Sequence, residues 1–237
     1  AAGVAAVVGA MVLGKRRGFP NLAMPPHNVT LSIVGAGVLW VVWFGFNGGS
    51  ALAANGEGGL VMLVTRISAD GGVFMWMLLE RSNHGKASEL GAVTGMVAGL
   101  GTITPASGFV GPGGGLIIGL SAGVVCYYAT GYIKRTLKID DSLDVFPVHG
   151  VGGILGTLLT GVFASNALGV FSGQEDIAIG AQVSIQAIGI LSAICYTAVV
   201  TYVILKVTDA VVGNRVDEED EMQGLDLVSH DERGYDL

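Results

Sequence analysis

The chain has 237 residues, 51% of them hydrophobic and only 13% charged, where an average soluble domain carries roughly 25% charged residues. With a mean hydropathy of +0.64, this composition excludes an ordinary soluble domain and points to a membrane protein. The net charge of −7 belongs mainly to one end, since nine acidic residues and a single arginine lie from Val216 onward.

The 39 glycines follow no G-x-y period, so they fit close helix packing in lipid, where small residues let backbones approach. Cys126 and Cys195 stand singly in apolar runs. Their spacing suggests neither a disulfide framework nor a metal site, and both read as packing residues. No cofactor, no metal and no nucleic-acid partner are expected.

The first apolar run, AAGVAAVVGAMVLG at 1–14, makes about 21 Å of helix. A span needs roughly 20 residues, so this run reads as the second half of a helix that begins upstream. Six complete spans follow, at about 29–48, 59–79, 90–107, 114–133, 145–164 and 179–207. Residues 1–210 therefore read as a transmembrane region and 211–237 as a tail.

The basic residues alternate with these spans. Lys15, Arg16 and Arg17 follow the first run. Arg81 and Lys86 fall between the third and fourth, and Lys134, Arg135 and Lys138 between the fifth and sixth. Lys206, Arg215 and Arg233 gather at and beyond the end of the last. The connections at 49–58, 108–113 and 165–178 carry none. Basic connections mark the cytoplasmic side, which puts the acidic tail there too. His27, His84 and His230 lie on that side and read as solvated or structural.

WFGFNGGS at 43–50 ends the 29–48 span. Trp43 and Phe46 stand at i and i+3 on one face, with Ser50 one turn on. Aromatic faces attract cations, and a hydroxyl oxygen accepts their hydrogen bonds. An interfacial aromatic belt explains the same residues, and both readings stand here. In the 59–79 span, Arg66 and Asp70 face each other at i and i+4, a self-neutralised pair expected at a helix or subunit contact. TITPASGFVGPGGG at 102–115 makes an irregular turn that walls an external vestibule or joins two helices.

DVFPVHG at 144–150 opens the 145–164 span. Pro147 lacks an N–H and leaves a carbonyl without its partner, which is tolerated in lipid only where the helix faces protein or a cavity. Gly152 and Gly156 let a neighbour approach closely, so the imidazole of His149 projects into an interior lined by helices. Ionisable residues at such depth are functional candidates. Asp140, Asp141 and Asp144 stand at the start of this helix, and Asp144 is read as structural, capping free N–H groups and suiting the dipole. An intramembrane enzyme would need a second catalytic group facing His149, and no nucleophile motif or HExxH is present.

Six stretches resemble the Amt/Mep/Rh family of ammonium transporters in the family's order. They are GKRRGF at 14–19, PHN at 26–28, WFGFNGGSALAANG at 43–56, GMVAGLGTITPASGFVGPGGGLIIG at 95–119, DDSLDVFPVHGVGGILGTLLTGVFA at 140–164 and GLDLVSHDERGY at 224–235. The resemblance is to the bacterial and fungal-type Amt branch. It implies an all-α integral membrane protein, an ammonium-transporter-like helical bundle of which this chain holds a half-span plus six transmembrane helices. These would be the second inverted repeat and the last helix of a trimeric, eleven-helix, cell-membrane transporter.

The same resemblance implies that His149 is the second of two pore histidines, whose twin precedes Ala1. Trp43, Phe46 and Ser50 would form part of the outer ammonium site, Val145 would line the lower pore, and Asp144 would sit near the cytoplasmic mouth. The implied substrate is ammonium or ammonia, with methylammonium as analogue. A trimeric PII-family protein is the implied partner of the tail. A sensor role within the family is the alternative. Arg66 and Asp70 depart from the family pattern.

Overall fold

The structure, a computed structural model, describes residues 1–165 and 178–235. The described residues are helical throughout their ordered elements. In chain order these are α1 (Ala2–Leu13), α2 (Val29–Gly49), α3 (Gly56–His84), α4 (Glu89–Ile103) and α5 (Pro112–Gly131), which runs into a π turn at Tyr132–Thr136. A second π turn at Phe146–Val151 leads into α6 (Gly152–Phe163). After it come the long α7 (Ile179–Val212) and two short tail helices, α8 (Glu218–Gln223) and α9 (Leu225–His230).

Local chemistry sets the helix ends. The side chains of Asn28, Asn55 and Ser88 accept from the backbone N–H of Leu31, Gly58 and Gly91 at 2.8, 3.1 and 2.9 Å, satisfying donors that a helix start leaves free. Pro112 opens α5 at a position where its missing N–H costs nothing. Gly85 closes α3 with φ 79°, the left-handed conformation that glycine adopts without penalty.

Five helical stretches among the described residues are long and apolar enough to cross a membrane: Val29–Gly49, Gly56–His84, Pro112–Thr136, Phe146–Phe163 and Ile179–Val212. The fourth expected span is shorter than its apolar run. Helix α4 has 15 residues and ends at Ile103 with Thr104 still in the α region; Pro105, which follows, has no N–H to continue the hydrogen-bond ladder. Helix α7, at 34 residues, continues five residues beyond its expected end at 207. Most of the expected outer connection at 165–178 lies outside the described residues.

Helices α3, α4 and α5 form the tightest part of the bundle. Ser68, Ala69, Gly71 and Gly72 of α3 lie between Gly95 and Gly99 of α4 and Gly119 and Gly123 of α5. A Cβ on Gly99 or on Gly119 would collide with the carbonyl oxygen of Ser68. Ser68 Oγ donates to the Gly99 carbonyl at 2.9 Å, so the hydroxyl is satisfied inside the contact. Around this seam lie three buried apolar clusters, one of them Ala36, Ala69, Met96 and Leu100 with Trp40 and Trp43 packed against it. Helix α6 joins by the same device, with Gly156 against the Thr102 backbone, and Gly3 brings α1 against Gly150.

Candidate functional site

His149 lies in the π turn that opens α6 rather than in a regular α-helix. Such turns re-aim a side chain and concentrate at functional sites, and here Pro147 occupies the second position, where the regular ladder has already been given up. The N-terminus of the turn is capped by Asp141, whose carboxylate accepts from Val145 N–H at 3.0 Å and Phe146 N–H at 2.7 Å.

This corrects the expectation for Asp144. It adopts φ 56°, a left-handed conformation that Asp tolerates better than most residues. Its side chain then turns away from the helix start and pairs with Lys134 Nζ at 2.8 Å. Burial pushes the Asp144 carboxyl above its usual range, opposed by the hydrogen bond and charge of Lys134. Asp144 ties two π turns together; Asp141 does the capping. Val145, half-buried, is the residue immediately before the second π turn.

The imidazole of His149 stacks on the indole of Trp43, with ring centroids 6.2 Å apart and planes 10° from parallel. Trp43 is held by two further contacts. Its Nε1–H donates to Thr104 Oγ1 at 2.9 Å, and the ring of Phe46 meets it edge-on at 6.2 Å. Thr104 Oγ1 in turn donates to the Leu100 carbonyl at 2.7 Å, so its hydroxyl is oriented to accept from the indole. His149 also lines a cavity of about 420 Å³ with Gly101, Thr104, Thr157 and Gln186. A Cβ on Gly101 would come within 3.5 Å of His149 Nδ1, so the glycine leaves room beside the ring.

Ser50 is exposed and donates its hydroxyl to the Phe46 carbonyl at 2.8 Å. Both lone pairs of that oxygen remain available to a cationic donor. Phe46 is 59% exposed and presents a ring beside it. Helix α2 thus carries Trp43, Phe46 and Ser50 in sequence toward its end, and the fold brings the first of them onto His149.

The sequence reading missed Thr104, Gly101 and Gln186, and it named Asp141 without giving it the capping role. Thr104 was inside a stretch already singled out, but only its tertiary partner reveals its role. Gln186, one of two amides a turn apart in an apolar helix with Gln182, was a legible signal. Arg66 and Asp70 pair as expected, at 2.8 Å, with the guanidinium 4.8 Å above the Trp40 ring. They lie apart from the His149 cavity.

Below the bundle the basic side is tied together. Arg16 meets Asp140 by two side-chain bonds, at 2.9 and 2.7 Å, and by its backbone N–H at 2.8 Å. The hydrogen bond from Arg16 holds the Asp140 carboxyl below its usual range. The tail returns to the same region. Arg215 donates to the carbonyls of Leu13 and Lys15 at 2.9 and 2.8 Å and to Glu221 at 2.7 Å. Asn28 Nδ2 donates to Tyr235 at 2.7 Å. The described part of the tail is therefore docked.

The chain is similar to proteins of known name over nearly its full length. An ammonium transporter of Mycobacterium bovis is 43% identical over 100% of this chain and 51% of its own length. The ammonium transporter Amt1 of Archaeoglobus fulgidus is 42% identical over 98% and 59%. Among solved structures, one described as a Sensor Amt Protein superposes with a TM-score of 0.85 at 32% identity over 96% of this chain and 56% of its own. Saccharomyces cerevisiae Mep2 gives 0.80 at 33% over 92% and 52%. The chain thus spans a little more than half the length of these relatives. The profile described as Ammonium Transporter Family matches residues 1–235, and the chain belongs to that family.

Proposed function

We propose that this chain forms the pore-bearing part of an ammonium transporter. Ammonium is recruited at the outer aromatic site of Trp43, Phe46 and Ser50, gives up a proton, and crosses as ammonia past His149 and Val145. The observation that carries this reading is the stack of His149 on Trp43, together with the cavity that His149 also lines. An aromatic face that attracts cations and an imidazole whose nitrogens donate or accept according to tautomer then follow one another along a single route.

The chemistry explains why deprotonation is useful. Ammonium resembles potassium in size and charge, so a ring of oxygens discriminates poorly between them. Moving a unit charge through an apolar pore is expensive. Ammonia avoids that cost, and potassium has no proton to lose. Ser50, with its lone pairs free, accepts from ammonium, Phe46 and Trp43 supply π faces, and His149 relays hydrogen bonds along the apolar stretch.

On this reading residues 1–210 are the transmembrane region and 211–237 a cytoplasmic tail. The protein is a homotrimer in the cell membrane, and the docked tail offers a surface to a PII-family regulator. A sensor role is the second reading, favoured by the likeness to a structure described as a Sensor Amt Protein. Flux separates the two. Proteoliposomes carrying the protein should take up methylammonium and exclude potassium, whereas a sensor would bind ammonium without comparable flux.

A further inference from the structure

Helix α5 and the π turn that ends it meet the His149 turn at two points. Near the middle of the helix, Cys126 is fully buried and shares an apolar cluster with Ala122 and Val148. Its thiol, a weak donor, lies 4.0 Å from the Val148 carbonyl oxygen. Further along, Lys134 Nζ donates to the Asp144 carboxylate at 2.8 Å. Asp144 and Val148 are themselves joined, by the bond from Val148 N–H to the Asp144 carbonyl at 3.0 Å. The two contacts therefore grip one turn of backbone, the turn that contains Val145 and leads directly into His149.

The first π turn makes the second contact possible. In a regular helix, residues as far apart as Cys126 and Lys134 differ by about 80° around the axis, which aims Lys134 away from the Cys126 face. Lys134 lies inside the π turn at Tyr132–Thr136. The wider i→i+5 loop advances each side chain less around the axis and returns Lys134 toward that face. Its basic neighbour does not share the task, since Arg135 is exposed and enters no ion pair among the described residues. The nearby acids are divided in the same way: Asp140 is held by Arg16, Asp141 caps the turn, and Asp144 is left to Lys134.

We infer that Lys134 is a positioning residue for the transport route proposed above, on which this role rests: through Asp144 it holds the turn that sets Val145 and His149 in the pore. Its loss leaves the Asp144 side chain, only 19% exposed, without a counter-charge, a costly arrangement for a carboxylate. The left-handed backbone at Asp144 then loses the contact that fixes it, and the lower pore is no longer held in one shape. Phe46 and Ser50 of the outer site lie on α2, and Trp43 is tied to Thr104, so recruitment does not depend on Lys134. Binding outside and passage below should respond separately.

Methylammonium uptake into proteoliposomes, measured over a range of concentrations at equal protein density, separates half-saturation from maximal rate. Lys134→Gln should lower the maximal rate by about tenfold, as for the loss of one hydrogen bond to a charged group, with half-saturation unchanged. Lys134→Arg, which keeps the charge and the reach, should restore most of the rate, and Arg135→Gln should match wild type. Asp144→Asn, which tolerates the left-handed backbone, should reproduce the loss. The double variant should lose no more than either single one, because both act through one contact. Should Lys134→Gln fail to fold, Asp144→Asn carries the same prediction. Wild-type rates in Lys134→Gln overturn the inference and leave the route standing, as do single losses that add or an equal loss in Arg135→Gln. A shift in half-saturation at unchanged maximal rate also overturns it, by placing Lys134 at the binding step. A wild-type protein without uptake overturns the route and this inference with it.

Discussion

The rings of Trp43 and His149 lie nearly parallel, 6.2 Å between centroids and 10° between planes, within the range where aromatic pairs attract. Two helices far apart in sequence meet at this pair. Its geometry is fixed from the Trp43 side by Thr104 and from the His149 side by the π turn that Asp141 caps.

Replacing Thr104 with valine keeps the shape but removes the acceptor for the indole N–H. The stranded donor should cost about 1–3 kcal/mol, loosen Trp43, and lower methylammonium flux. Tryptophan fluorescence and proteoliposome uptake measure the two effects. Thr104→Ser, which keeps the hydroxyl, should restore both. A Thr104→Val variant with native fluorescence and flux would show that the hydrogen bond does not hold the stack.

The α3–α5 contact is set by glycine. In Gly119→Ala the new methyl would collide with the Ser68 carbonyl, and overpacking of this kind costs about 1–3 kcal/mol. Gly59, on the same bundle, has nothing within 4 Å of an added Cβ, so Gly59→Ala should be neutral or stabilising by up to about 1 kcal/mol. Thermal unfolding in detergent should separate the two variants in that order.

The Arg16–Asp140 clamp makes stability depend on pH. The hydrogen bond from Arg16 lowers the Asp140 carboxyl in the folded protein, so its contribution is complete above the unfolded value, about 3.9. It is lost as pH falls through the lower folded value. At neutral pH Asp140→Asn should be less stable by about 1.5–2 kcal/mol, the modest end because the guanidinium is 44% exposed and screened. Unfolding followed from pH 7 downward should show the gap between wild type and variant closing below about pH 4.

The tail is held at its surface by Glu221, which accepts from Arg17 N–H at 3.0 Å and from Arg215 at 2.7 Å. An exposed pair of this kind contributes little and is screened by salt. In Glu221→Gln, hydrogen exchange in 218–223 should rise, and high salt should raise it in the wild type as well. Unchanged exchange would place the hold elsewhere, at Asn28 and Tyr235.

Much of this was legible in the sequence because the bilayer leaves few choices. Apolar length placed the helices, and the alternation of Lys15–Arg17, Arg81 and Lys134 gave them consistent ends. The shortened α4 was less visible, since the apolar run continues past Thr104 although the helix does not. The π turn at His149 was hidden for a related reason: apolar periodicity does not distinguish an i→i+5 turn from the helix it interrupts. Three acids stood at the start of the His149 segment, and composition alone could not say which would cap. The left-handed backbone at Asp144 decided it, by turning that carboxylate to Lys134 and leaving the N–H groups to Asp141. The pairing of Trp43 with His149 is tertiary, and only the fold could supply it.

The proposed route requires the imidazole at 149 to lie on the path that ammonium takes. Methylammonium uptake and potassium exclusion, measured in proteoliposomes for wild type and His149→Ala at equal protein density, address this directly. Flux or selectivity should change by about tenfold or more, as expected when an interaction worth roughly 1.4 kcal/mol is lost along the path. A His149→Ala protein that folds normally and matches the wild type in both quantities would contradict the proposed route.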